Sequence, residues 1–170
     1  MNIIGDKIVL RAIEPKDNPL LLELINNPDV EYMVGGWVFP ISERNQQEWT
    51  NELKVTKEAL RCAIDVAGEA VGFISLTDID YKNGTAEVNI KLEGKKYGGK
   101  GYATDAIRSV VRFAFDELRL NCIYAHVNEH NMPSRKMVER TGFLEEGILR
   151  KRLFKRGKYI DTISYSITKV

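Results

Sequence analysis

The chain has 170 residues, 44% hydrophobic and 29% charged, with 25 basic and 24 acidic side chains and a net charge of +1. That length can bury a core without staples, and the composition is not that of a disordered chain. The near-neutral balance supplies no whole-molecule attraction to nucleic acid or to a membrane surface, and no apolar run approaches the ~20 residues that span a bilayer.

Taken in order, residues 7–14 alternate as a strand, and Asp17 or Asn18 can cap a helix carrying Leu21, Leu22 and Ile25. Residues 32–40 are the least regular part of the chain, with aromatics around Gly35 and Gly36. They read either as a mobile wall over a substrate or as core under a loop, and Tyr32, Trp37 and Phe39 are candidate substrate contacts. Ser42 starts a second helix through Leu53. Residues 60–66, 71–80 and 85–92 form an antiparallel meander turning at Gly68 and at Lys82-Asn83-Gly84. In the last of these strands Val88, Ile90 and Leu92 share one face, and Glu87, Asn89 and Lys91 the other.

An amphipathic helix is expected over residues 104–120, with Ile107, Val110, Val111, Ala114, Phe115 and Leu118 as its apolar stripe. A strand over 121–127, a helix from Pro133, and a hairpin of 148–154 with 159–167 complete a mixed α+β order. No linker or repeat interrupts it, so 1–170 reads as one domain. Cys62 and Cys122 sit in apolar runs without metal-ligand spacing, and the N-terminus lacks a signal peptide's basic start and apolar core. Reduced thiols, no metal site and a cytoplasmic location are expected. His126, His130 and Tyr124 read as structural residues, and the basic run from Arg150 to Lys158 as a solvated edge strand, with RNA binding as its minor alternative.

Between the third meander strand and the long helix lies Lys96-Tyr97-Gly98-Gly99-Lys100-Gly101-Tyr102-Ala103. Glycines there let the backbone approach a ligand, and the free N–H groups open into the positive end of a helix dipole, an arrangement suited to a pyrophosphate. The cluster lacks the Gly-Lys-Ser/Thr ending of a P-loop and is not a Gly-x-Gly-x-x-Gly in a parallel strand-helix-strand unit. Taken alone, it fits an ordinary strand-to-helix turn equally well.

The loop resembles the acetyl-CoA loop of the GNAT superfamily of N-acetyltransferases, Gln/Arg-x-x-Gly-x-Gly/Ala, here Lys96-x-x-Gly99-x-Gly101. A second block, from Val127 through Asn131, Pro133 and Ser134 to Gly142-Phe143, is similar to the family's Asn-x-x-Ser helix ending in Gly-Phe. It is most similar to the branch of ribosomal-protein N-terminal acetyltransferases and spermidine acetyltransferases, as is the closing Gly157-Lys158-Tyr159-x-Asp161. The resemblance covers roughly the whole chain and implies a mixed, mostly antiparallel sheet flanked by helices. It implies acetyl-CoA as co-substrate, held by Ile90, Lys91, Leu92, Lys96, Gly98, Gly99, Lys100, Gly101, Tyr102, Ala103, Asn131 and Ser134.

By the same resemblance Glu87 is the candidate base and Ser134 the candidate acid, with helix capping an equal account of Ser134. Tyr32, Trp37, Phe39, Asn89 and Tyr159 would surround a primary amine, and a homodimer is one expected assembly. Three departures matter: Lys96 replaces Gln or Arg, the loop is one residue longer and should bulge near Gly94 or Gly98, and Val138 stands where the spermidine enzymes carry a tyrosine acid. The acceptor expected is therefore a protein N-terminal α-amino group. Small-molecule amines such as a polyamine, antibiotic or amino acid remain open, as does a catalytically weak acyl-CoA-binding module.

Overall fold

Residues 1–170, all described by the computed structural model, build one eight-stranded sheet. Its strands are β1 (Ile3–Ile4), β2 (Val9–Arg11), β3 (Leu60–Val66), β4 (Glu69–Asp80), β5 (Thr85–Leu92), β6 (Cys122–Asn128), β7 (Leu144–Lys155) and β8 (Lys158–Thr168), in the order β1-β2-β3-β4-β5-β6-β8-β7. Every neighbouring pair is antiparallel except β5 with β6. The helices are α1 (Asn18–Asn26), α2 (Pro28–Val34), α3 (Glu43–Glu52), α4 (Gly94–Tyr97), α5 (Tyr102–Asp116) and α6 (Met132–Arg140). The architecture is the mixed, mostly antiparallel one expected from the sequence.

The core forms where the helical and strand periods meet. The α5 stripe of Ala106, Ile107, Val110, Val111 and Ala114 is buried against Ile74, Leu76, Ala86, Val88 and Ile123 of the sheet. The single parallel pairing is short: Thr85, Ala86 and Glu87 face Cys122, Ile123 and Tyr124, and there it stops. Beyond Glu87, β5 stays with β4, while β6 stays with β8 as far as Asn128 opposite Thr162. The sheet therefore opens into a notch whose apex is Glu87.

Several boundaries differ from the sequence expectation. Only Val9–Arg11 of residues 7–14 is strand, because Arg11 turns its guanidinium onto Asp17 and Asp65 and the chain enters a 3₁₀ turn at Pro15. Asp17 does not cap α1; its carboxylate accepts from Arg11 at 2.8 and 2.9 Å and from the Glu14 N–H at 2.8 Å. Residues 32–34, expected to be irregular, are the last turn of α2, which Asn27 caps by accepting from the Asp29 and Val30 N–H groups. Pro28 at its first position favours the same start.

Burial raises the Asp17 pKa, but the Arg11 hydrogen bonds outweigh it and the net shift is downward. A depressed folded-state pKa gives stability that is full above the unfolded value of about 3.9 and is lost as pH falls below it. Asp17→Asn is expected to cost about 3 kcal/mol at neutral pH, the low end for breaking a buried pair, since Asp65 still holds Arg11. In denaturation at graded pH the variant should also lose part of the wild-type decline below about pH 4.

Candidate functional site

A cavity of about 840 Å³ runs between α2, the end of β5, the glycine loop, and the starts of α5 and α6. At one end is the N-terminus of the fifteen-residue α5. Its N-cap is Gly101, at φ 82° and without a side chain to accept from the first turn, so those N–H groups stay open to the cavity. The one acidic residue of that turn, Asp105, is directed elsewhere: its carboxylate accepts from the N–H groups of Asp6, Lys7 and Ile8 at 3.1, 2.6 and 3.1 Å. Lys7 in turn donates from Nζ to the Lys100 carbonyl at 3.0 Å. Lys7, Lys95, Lys100, Arg108 and Arg140 line this end and outnumber the acidic Asp6, Glu93 and Asp105 there. A pyrophosphate and a further phosphate find both backbone donors and counter-charge here.

Where a bulge is expected near Gly94 or Gly98, the chain forms the short helical turn α4. Glu93 caps it, accepting from the Lys95 and Lys96 N–H groups at 3.2 and 2.6 Å. Gly98 closes that turn by donating to the Gly94 carbonyl at 3.0 Å, and a Cβ there would clash with the same oxygen. This turn carries the Lys96 side chain over the Tyr97 ring, 5.1 Å from its centroid, and out of the cavity lining.

At the other end α6 begins. Asn131 is its N-cap, accepting from the Ser134 N–H at 3.2 Å, which leaves the Ser134 hydroxyl free of capping. The buried Asn131 amide also donates to the Met33 carbonyl at 3.1 Å. That bond belongs to a set: Asn128 Nδ2 and His130 Nε2 reach the Tyr32 carbonyl at 3.3 and 2.9 Å, and Lys155 Nζ reaches the Glu31 carbonyl at 2.8 Å. The last carbonyls of α2 thus accept from side chains of β6, the loop that caps α6, and β7, which tie α2 down as a wall of the cavity. The Tyr32 ring stacks on His130 at 4.2 Å and lies under the Arg156 guanidinium at 4.1 Å.

On the notch face, Glu87 Oε1 lies 2.9 Å from His126 Nδ1. His126, structural by its sequence context, reaches Glu87 because the short parallel pairing puts Tyr124, His126 and Asn128 on the same face as Glu87, Asn89 and Lys91. Burial, then the charges of Glu87 and Asp78, raise the Tyr124 pKa, so Tyr124 stays a neutral phenol. Asn89 donates to Thr77 Oγ1 at 3.3 Å.

Of the residues named from sequence, the cavity brings together Ile90, Lys91, Leu92, Gly98, Gly99, Lys100, Gly101, Tyr102, Ala103, Asn131 and Ser134. Lys96, Glu87, Asn89, Tyr32, Trp37, Phe39 and Tyr159 do not line it. Trp37 and Phe39 are exposed and 5.6 Å apart, and Tyr159 packs edge-on against Phe154 at the exposed tail. The α2 wall instead presents Val30, Met33 and Val34 to the cavity.

Comparison with known proteins agrees with this geometry. The chain is 35% identical, over 97% of its length and 92% of the relative's, to the SPbeta prophage-derived uncharacterized N-acetyltransferase YokL of Bacillus subtilis. It is 33% identical, over 98% and 93%, to the putative ribosomal N-acetyltransferase YdaF of the same organism. The crystal structure of spermidine N-acetyltransferase from Vibrio cholerae in complex with CoA and spermine superposes with a TM-score of 0.87 at 27% identity, covering 96% of both chains. No helix is long and apolar enough to cross a membrane. Residues 7–144 match the acetyltransferase (GNAT) domain, and the chain belongs to that family of N-acetyltransferases, whose acetyl donor is acetyl-CoA.

Proposed function

We propose that this enzyme acetylates the N-terminal α-amino group of a protein, with acetyl-CoA bound along the 840 Å³ cavity. The observation that carries the reading is the continuity of that cavity from the uncapped α5 terminus, where the pyrophosphate would sit, to Ser134 at the start of α6. The amine lone pair attacks the thioester carbonyl, the C–S bond of the resulting tetrahedral centre breaks, and the departing thiolate takes a proton. Ser134, its hydroxyl not engaged in capping, is the proposed donor of that proton. Glu87, held by His126, is the proposed acceptor of the amine's proton, directly or through water. An α-amino group, with a pKa of about 7.7–8.0, has a sizeable neutral fraction near pH 7, whereas a lysine-like amine near 10.4 has almost none.

A polyamine fits less well. Of the two acidic residues on α2, Asp29, which lines the cavity, pairs with Arg156 and Glu31 pairs with Lys155, and Val138 is buried where the spermidine branch carries its tyrosine. The basic hairpin beside it repels a polycation. Two free cysteines fit a reducing compartment, and we place the reaction in the cytoplasm on that ground.

Thiol release from acetyl-CoA, measured against free-N-terminus peptides, spermidine, aminoglycosides and amino acids, tests the acceptor. Peptides should be turned over with the highest kcat/KM. Efficient turnover of spermidine with none on peptides would overturn the protein-acceptor reading. Thiol release from none of these amines would leave an acyl-CoA-binding module.

A further inference from the structure

Lys91 is the cation that the chemistry above does not use. It lines the cavity at the end of β5, on the face shared with Glu87 and opposite the face that Ile90 and Leu92 turn to the α5 side of the sheet. At the α5 terminus of the same cavity the cofactor's phosphates already have Lys7, Lys100 and Arg108 as counter-charges. Two other charges stand near Lys91. Lys155 is buried at 7% exposure and takes the Glu31 carboxylate for itself. The group of Lys91, Lys155 and Glu31 thus carries one cation in excess, and Lys91 makes no ion pair.

The Lys91 surroundings make that excess costly. Burial disfavours its charged form, repulsion from Lys155 adds to this, and Glu31 offsets it only in part, so its pKa is lowered. Beside it the loop after α2 presents bare backbone: a Cβ on Gly36 would lie 3.0 Å from Lys91 Nζ. An ammonium partly stripped of water, without a counter-ion and open to a substrate cavity, is completed by an incoming anion.

We propose that Lys91 recognises a carboxylate on the acceptor, so that the preferred amines are those carrying an acidic group close to the reacting nitrogen. This rests on the acetyl-transfer reading above and narrows its acceptor class. For a protein acceptor it means an Asp or Glu within the first few residues of the N-terminus. The carboxylate is bound and not transformed, and the acetyl transfer itself is unchanged.

The test compares a short peptide bearing Asp and Glu after its first residue with the same peptide bearing Asn and Gln. The readout is the acid-to-amide ratio of kcat/KM within each protein, which cancels effects on folding and on acetyl-CoA binding. In the wild type the ratio should be roughly ten- to a hundredfold, the range for a charge-assisted hydrogen bond, and should lie in KM. Lys91→Met should bring it near one, and Lys91→Arg should largely keep it.

A wild-type ratio near one with measurable turnover overturns this inference and leaves the acetyltransferase reading standing. So does a ratio that survives in Lys91→Met, or a fall in kcat alone, which would make Lys91 a donor to the thioester oxygen. An acetyl mass on Lys91 after incubation with acetyl-CoA alone also overturns it, because the amine would then be a nucleophile and not a counter-ion. Thiol release from no amine removes both readings together.

Discussion

Gly101→Val is expected to weaken CoA binding by about a hundredfold or more while the protein stays folded. Gly101 holds φ at 82°, and a Cβ there would meet Lys7 Nζ at 3.0 Å. For an L-residue that conformation costs roughly 1–2 kcal/mol, and a β-branched side chain tolerates it least. Valine relieves the strain by leaving the left-handed region, which turns the peptide groups on either side of position 101 away from the cavity. It also disturbs the Lys7 latch on the Lys100 carbonyl. Hydrogen bonds to a charged group contribute about 1.5–3 kcal/mol each, so misaligning two of them supplies the predicted loss. Because the loop is exposed, the melting temperature should fall little. Gly99→Ala is the matched control: φ is 75° but nothing lies within 4 Å of the added Cβ, so only the backbone cost applies. Calorimetry showing unchanged affinity in Gly101→Val would move the phosphates away from the α5 terminus.

The parts of this site that the sequence shows directly are those built from local periodicity. Alternation in residues 85–92 matches β5 as observed, and the 3.6-residue stripe in 104–120 finds α5, although the helix runs from Tyr102, as soon as the glycines end, only to Asp116. Asn-x-x-Ser is itself a capping pattern, with Asn131 accepting from the N–H three residues on, so the cap is legible at Asn131 rather than at Ser134. What the sequence hides is long-range. Helix α2 buries none of its residues fully and has no core stripe to announce it, and it is held by contacts such as Lys155 to Glu31, 124 positions apart. The Glu87–His126 contact spans 39 positions and depends on β5 and β6 pairing in parallel for three residues and then parting. Two alternating strands do not reveal that they are neighbours. Trp37 and Phe39 look like a pocket wall in a sequence; they are exposed and do not line this cavity, whose wall there is the apolar side of α2.

Glu87→Gln is expected to lower kcat by about 10²- to 10⁴-fold with little change in CoA affinity, the usual contribution of one proton-transfer group. The site separates the two effects. Glu87 does not line the cavity proposed for the cofactor, and it sits at the apex of the notch, where β5 and β6 part. The amide keeps the shape and can still meet His126 Nδ1 across the observed 2.9 Å, so the fold should be untouched while the proton acceptor is gone. His126→Asn tests positioning. If the imidazole only orients the carboxylate, kcat should fall less than in Glu87→Gln, and the double variant should be no worse than Glu87→Gln alone, since both act through one group. Ser134→Ala separates chemistry from structure at the other end. With Asn131 as the cap, it should lower kcat and leave the melting temperature nearly unchanged, whereas a loss confined to stability would return Ser134 to a structural role. Steady-state kinetics across the pH range checks all three, and an unchanged kcat in Glu87→Gln would take the proton from the amine to water or to another group on the notch face.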